Sequence, residues 1–401
     1  MKLSKSSIPN GWFFKQLSEI GKVVTGSTPS KADKLNYEGT FCWITAQDLK
    51  NKYIYDSTVK LSDIGKSKVR IIPSNSVLIT CIASIGLNAV TKVDCATNQQ
   101  INAIIPYKDY NSEYLYYIID ANTDYLKSFA GSGGMLIISK SEFEKIWFPF
   151  PPIEEQKRIA EVLSCWDDGI EKLEKVIELK EKQKRGLMQR LLSGKTRIKG
   201  FSAPWKQARL GEVGTFSKGA SIEKSDLVET GIPCVRYGEI YTTHDFYIKE
   251  FNSFISKNIA DRSTRIKEGD LLFACSGETA EEIGKVIANT NSSDAYAGGD
   301  IIILTPNNKR IFSLFLSYYI NVVKRKALNK LGQGYSVVHI YAKDLSRLQI
   351  CYPSLREQAV IAEVLTSADN EISLLKRKCE FFKQQKKWLM QQLLTGKKRL
   401  V

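Results

Sequence analysis

The chain has 401 residues, 43% of them apolar and 25% charged, and its 58 Lys and Arg against 43 Asp and Glu give a formal net charge of +15. The length exceeds one ordinary domain, the composition excludes a disordered chain, and the basic excess favours an anionic partner such as nucleic acid. Met1 to Phe14 holds no apolar core of signal-peptide length, and the longest nearly apolar stretch, Ile311 to Ile320, is about half a membrane span. Eight cysteines (42, 81, 95, 165, 234, 275, 351 and 379) form no Cys-x-x-Cys pair, so neither a zinc ribbon nor a disulfide framework is indicated. The expectation is a basic, soluble, cytoplasmic protein with reduced, mostly buried cysteines.

Residues 1–150 alternate short β-rich runs with Gly- and Asn-rich turns, the pattern of a mixed α/β globule. Strands are expected at Ser76–Cys81 and Ile101–Ile105, and a helix at Ser112–Ala121. The clusters Thr45-Ala46-Gln47-Asp48, with Lys50 close behind, and Thr97-Asn98-Gln99-Gln100 carry the hydroxyl and amide groups that read base edges. Gly131-Ser132-Gly133-Gly134 lets a backbone approach a phosphate or a groove, although plain turn glycines look the same. The candidate DNA contacts in this globule are Thr45, Gln47, Lys50, Asn98, Gln99, Gln100, Ser132 and Gly133.

Residues 151–198 read as one long helix. Pro151-Pro152 followed by Glu154 and Glu155 marks its start, and Gly194 marks its end. Between them Ile159, Leu163, Trp166, Ile170, Leu173, Ile177, Leu187 and Leu191 keep the alternating four-and-three spacing of a coiled-coil seam, broken at Lys180 and Lys184. Residues 199–352 form a second globule, with strands expected at Asp270–Ala274 and Asp300–Leu304 and a helix at Phe312–Ala327. Its candidate DNA contacts are Arg236 and Tyr237, Ser276 and Thr279, and Gln333, Tyr335 and Ser336 around a second glycine-rich turn. Residues 353–401 repeat the long helix, with seam residues Ile361, Leu365, Ala368, Ile372, Leu375, Cys379, Phe382, Leu389 and Leu393 and a single break at Lys386. Each helix should run for about 40 residues, or roughly 60 Å.

The chain is written twice. Glu155-Gln156-Lys157-Arg158-Ile159-Ala160-Glu161-Val162-Leu163 returns as Glu357-Gln358-Ala359-Val360-Ile361-Ala362-Glu363-Val364-Leu365, an offset of 202 that also carries Leu187-Met188-Gln189 onto Leu389-Met390-Gln391. More weakly, Trp12, Leu17, Glu19, Gly21 and Gly26 reappear at an offset of 193 as Trp205, Leu210, Glu212, Gly214 and Gly219. A lone helix cannot hide such a seam, so the other copy is the natural partner, with a role as a domain-capping element the plainer alternative. The expected fold is α+β: two similar mixed α/β domains joined by two long repeated helices that form an antiparallel coiled coil about a pseudo-twofold axis.

Catalytic chemistry is missing from this pattern. Only His244 and His339 occur, both in the second half. Ser193-Gly194-Lys195-Thr196 resembles the end of a phosphate-binding loop, but the required earlier glycine is Gln189 and the segment ends a helix instead of opening one. No Gly-x-Gly-x-x-Gly follows a strand, and Asp167-Asp168, whose counterpart is Asp369-Asn370, is expected on a solvated helix face. No catalytic site, metal or cofactor is expected.

Two copies of a Pro-x-x-x-Glu-Gln-x-x-Ile-Ala-Glu-Val-Leu helix ending in Leu-Leu-Ser/Thr-Gly-Lys, each after a Trp-x-x-x-x-Leu-x-Glu-x-Gly module, resemble the specificity (S) subunit of type I restriction–modification systems over essentially the whole chain. The resemblance implies two target-recognition domains, each reading half of a bipartite double-stranded DNA site. It implies that the helices set the spacer and bind two methyltransferase (M) subunits, that restriction (R) subunits join through that complex, and that catalysis belongs to those partners. It places Thr97–Gln100 on an element common in such domains, from which Ala297-Gly298-Gly299-Asp300 departs. A stand-alone bivalent DNA-binding regulator and a protein-interaction scaffold are the competing readings.

Overall fold

Gly-x-Val-Val-Thr near the start of the chain and its counterpart Gly214–Lys218 each form the first strand of a five-stranded sheet. The computed structural model describes residues 8–131, 135–220, 222–279, 281–334 and 338–400. The chain divides into two compact units, one holding the residues up to Glu174 and those from Arg377 onward, the other running from Lys175 to Lys376.

In the first unit five strands lie in the order Gly21–Thr25, Ile101–Pro106, Val77–Thr80, Asn88–Thr91 and Tyr53–Ile54, antiparallel except for the last pair. The helix Ser112–Asp120 packs on one face, burying Tyr114, Leu115, Tyr117, Ile118 and Ile119. The other face meets a three-stranded sheet in which Tyr37–Ile44 runs parallel to Cys95–Thr97 and antiparallel to Val59–Leu61. The ribbon of Phe13–Gln16 and Trp147–Phe150 ties the start of the globule to the entry of the long helix.

The second unit has a matching five-stranded sheet, in the order Gly214–Lys218, Ile301–Pro306, Leu271–Ala274, Val286–Asn289 and Tyr247–Ile248. Its helical layer is Ser313–Val323 followed by Arg325–Asn329. The expected single helix over 312–327 is thus two, broken at Lys324. Its companion sheet has grown to five strands, with Ile232–Val235 parallel to Ala295–Ala297 at the centre.

The two long helices span Ile153–Leu192 and Leu355–Leu393, are packed together, and each contributes a half to each unit. Within the first unit Trp166 meets Phe382 with ring centres 5.5 Å apart, and Lys383 reaches Glu174 at 2.8 Å. Within the second, Lys180 pairs with Glu371 and Lys376 with Glu181, both at 2.6 Å. In the first unit the order Asp167·Lys386 then Glu174·Lys383, and in the second Lys180·Glu371 then Lys184·Asp369, has the numbers fall along one helix as they rise along the other, so the helices run antiparallel. The 202 offset maps Glu174·Lys383 onto Lys376·Glu181, which reverses both charges and keeps the attraction.

The ends of the helices belong to the globular cores. Ile159, Leu163, Met390, Leu393 and Leu394 share one core with Leu17, Tyr114 and Phe148, and Leu191, Leu192, Ile361, Ala362 and Leu365 share another with Leu210, Phe315 and Tyr318. All the stripe residues of both helices are buried or half-buried. Gly194 and Gly396, at φ +70° and +69°, supply the left-handed turns that stop the helices. All eight cysteines are free, with only Cys165 exposed, and among the described residues no helix is long and apolar enough to cross a membrane.

Candidate nucleic-acid interface

Three turns converge at one end of the first globule because two strands run parallel and finish together. The chain leaves Tyr37–Ile44 into Thr45–Asp48 and leaves Cys95–Thr97 into Asn98–Gln100, and the Asn98 amide donates to the Ile44 carbonyl at 3.2 Å. A third turn, Gly26-Ser27-Thr28, lies against them: Ser27 N–H donates to the Thr97 carbonyl at 2.8 Å and the Thr28 hydroxyl to Gln99 Oε1 at 2.5 Å. Only glycine fits at 26, since a Cβ there would stand 2.1 Å from the Asn98 carbonyl oxygen.

The second globule repeats the construction with other side chains. Ile232–Val235 leads into Arg236–Glu239, Ala295–Ala297 leads into Gly298–Asp300, and Gly298 N–H donates to the Val235 carbonyl at 2.8 Å. Gly219 takes the place of Gly26, with a would-be Cβ 1.9 Å from the Gly298 carbonyl oxygen. In both globules the turn after Tyr37–Ile44 or Ile232–Val235 is closed by an acidic residue three positions on: Asp48 accepts from Thr45 N–H, and Glu239 from Arg236 N–H, each at 2.8 Å.

Not every candidate residue in these turns is free to read a base. Asn98 donates to Gln100 Oε1 and accepts from the Gln100 amide, both at 3.1 Å, so this pair stabilises its own turn. Thr45 donates its hydroxyl to Asp48 at 2.9 Å. Gln47 and Gln99 are exposed, and so is Lys50, which lines a cavity of about 620 Å³ together with Lys127, Asn88 and Leu136. In the second globule Tyr237 is exposed and Arg236 half-buried.

Ser276–Thr279 lies in a different turn from these. It follows Leu271–Ala274, where Cys81–Ser84 follows Val77–Thr80 in the first globule, and the place of Thr97–Gln100 is taken by Ala297–Asp300. Ser276 is buried, with its hydroxyl 3.0 Å from His339 Nδ1, while Thr279 is exposed. Gln333 pairs through its backbone with His339 and reaches Asp344 at 3.3 Å. Ser132, Gly133, Tyr335 and Ser336 lie outside the described residues.

The joint between each globule and the helices went unrecognised in the sequence. Asp167 is half-buried, not on a solvated face: it accepts from the Tyr117 hydroxyl at 2.5 Å and from Lys386, the residue that interrupts the apolar stripe. The second unit repeats this with Asp369, Tyr318 at 2.5 Å and Lys184. Burial first, and the adjacent carboxylate second, push both tyrosine hydroxyls far above their ordinary pKa, so they stay donors. Asp168, by contrast, is exposed as expected.

The Glu-Gln pair of the repeated motif divides its work. Gln156 accepts from Asn111 N–H at 2.9 Å and donates to the Asp109 and Pro151 carbonyls, while Gln358 does the same with Phe312 N–H at 2.9 Å and the carbonyls of Arg310 and Pro353. Glu155 accepts both arms of the Arg399 fork, at 2.7 and 2.8 Å, and Glu357 those of Arg197, at 2.8 and 2.7 Å. Each helix start is thereby fastened to its globule and to the tail of the opposite helix. The signal was present: Pro151, Glu155, Gln156 and Arg197 recur at the offset of 202 as Pro353, Glu357, Gln358 and Arg399.

The chain matches the family described as type I restriction modification DNA specificity domain twice, over residues 9–181 and 203–380. The type I restriction enzyme MjaVIII specificity subunit of Methanocaldococcus jannaschii is 27% identical across 98% of this chain and 94% of its own length. The MjaIX specificity subunit of the same organism is 31% identical across 69% and 68%. The crystal structure of a type I S subunit from M. genitalium shares the fold, with a TM-score of 0.61 over 98% of both chains at 15% identity. With the family matched once in each half and the fold shared from end to end, the chain belongs to the type I restriction–modification DNA specificity subunits.

Proposed function

We propose that the globules at 1–150 and 199–352 each read one half of a bipartite double-stranded DNA site in the cytoplasm, and that the helical segments 151–198 and 353–401 set the unread spacer and seat two methyltransferase subunits. Restriction subunits join through that assembly. Methyl transfer and cleavage are the partners' chemistry, and this chain holds no cofactor.

The observation that supports this best is the duplication of contacts at two levels. Each globule gathers three turns with different polar side chains, and each is fastened to both helices through the same Tyr–Asp–Lys joint. Turns that differ suit two readers of different bases. A joint that does not differ suits a fixed frame. A helix of about 60 Å is as long as many base pairs at about 3.4 Å each, which suits a frame that sets an unread spacer.

The test is to co-produce the chain with its methyltransferase partner and map modified adenines by long-read sequencing. Two short motifs at constant spacing, from a complex with two M copies per chain, are expected. A single uninterrupted motif, or no sequence preference, contradicts the proposal.

A further inference from the structure

We propose that Arg236 reads a guanine in the half-site of the second globule, an inference that rests on the globules being DNA readers. Arg236 opens the turn that follows Ile232–Val235, at the convergence of strand ends described above. Thr45 holds the equivalent place in the first globule, and the neighbouring turn there begins with Asn98, whose side chain is folded back onto Gln100. In the second globule Gly298 and Gly299 stand in that turn. A Cβ on Gly298 would lie 3.8 Å from Arg236 Cγ, so the arginine stem runs over bare backbone where the first globule has an amide side chain. A small hydroxyl beside an amide has been exchanged for a long cation beside glycine.

Among the described residues the guanidinium has no partner. Glu239, the carboxylate of its own turn, is already engaged, accepting from Arg236 N–H and from the Ser253 hydroxyl, both at 2.8 Å. Arg236 Nε is shut off from water with no hydrogen bond at all. A half-buried arginine kept for packing or for an internal ion pair would have its donors satisfied. Here the fork is held by its stem and left unpaired. Arginine presents two parallel N–H groups that match O6 and N7 of guanine in the major groove, whereas amides match adenine. The exchange therefore puts an unpaired donor fork that matches guanine where the first globule has a hydroxyl and an amide already used within their own turns.

The experiment uses the chain in complex with its methyltransferase partner and duplexes carrying the mapped site. Each guanine of the second half-site is replaced in turn by 7-deazaguanine, which lacks the N7 acceptor. One replacement should weaken binding by about tenfold, and Arg236→Gln should be insensitive to that same replacement. The sites modified by the Arg236→Gln complex should relax at this one position and keep the first half-site intact.

A second half-site without guanine, or deaza duplexes that all bind like the parent, overturns the inference while leaving the two-reader proposal standing. Arg236→Gln weakening every duplex alike with a shallower salt dependence also overturns it, because that marks a phosphate contact. If the wild-type complex shows no bipartite preference, the underlying proposal fails as well. The deaza series on wild-type protein stays decisive even if the variant folds poorly.

Discussion

Asp167→Ala removes the acceptor from two donors at once, the Tyr117 hydroxyl at 2.5 Å and the Lys386 ammonium. The Asp167 and Lys386 side chains keep 28% and 17% of their exposure. The pair is thus neither an exposed bridge, worth at most about 1 kcal/mol, nor a fully buried one, whose breakage costs about 3–5 kcal/mol. A loss of about 2–3 kcal/mol follows. Lys386→Met leaves the carboxylate with its tyrosine donor and gives the stripe an apolar residue, so it should cost about 1 kcal/mol. The double variant should cost less than the two singles together, with a coupling of about 1–2 kcal/mol.

Native-state hydrogen exchange followed by mass spectrometry reads this locally. A loss of 2.5 kcal/mol corresponds to exchange about 60-fold faster, confined to peptides around Asp167 and Lys386, while those around Lys184 and Asp369 keep their protection. Unchanged exchange in Asp167→Ala, or strictly additive singles, would refute the buried joint.

Three further outcomes follow from the same geometry. Gly26→Ala places a methyl 2.1 Å from the Asn98 carbonyl oxygen, so it should cost about 1–3 kcal/mol and abolish recognition of one half-site in a modification map; an intact map contradicts the turn assignment. Lys376→Glu should lose about 0.5 kcal/mol against Glu181 in chemical denaturation and regain it with Glu181→Lys, because the first unit carries this pair in the opposite sense as Glu174·Lys383. Burial alone would raise the Glu155 carboxyl, but Arg399, the Leu400 amide and Trp12 outweigh it and hold the pKa below the ordinary 4.5. A depressed carboxylate stabilises fully above its unfolded value and loses that contribution as pH falls through the folded one. Glu155→Gln should therefore be less stable at neutral pH and show a flatter acid limb below about pH 4.5, and an unaltered acid slope would count against the clamp.

Much of the architecture was legible in the residues. A stripe of alternating four-and-three spacing leaves an amphipathic helix little choice, and the 202 offset identifies two such helices without any structural information. The strands expected at 76–81 and 101–105 formed as Val77–Thr80 and Ile101–Pro106, because short, mostly apolar runs rich in β-branched residues suit strands buried on both faces. The joint was not legible for a physical reason. Lys184 and Lys386 look like breaks in an apolar seam, and only the fold brings Asp369 and Asp167 across the helix pair and Tyr318 and Tyr117 down from the globules. Register in an antiparallel pair is a tertiary property. The polar turns were also ambiguous, since Asn98 and Gln99 are neighbours with opposite fates: one is absorbed in its own turn and the other is exposed. The length of a turn does not say which amide closes it.

The proposed function requires the helices to act as a frame whose length is transmitted to DNA. Removing one helical turn (about four residues) from each long helix shortens each by about 5.4 Å, one to two base pairs at about 3.4 Å each. Sequencing the adenines modified by the shortened complex tests this directly: both half-sites should persist, separated by one or two fewer base pairs. An unchanged spacer, or new half-site sequences at the old spacing, would contradict it.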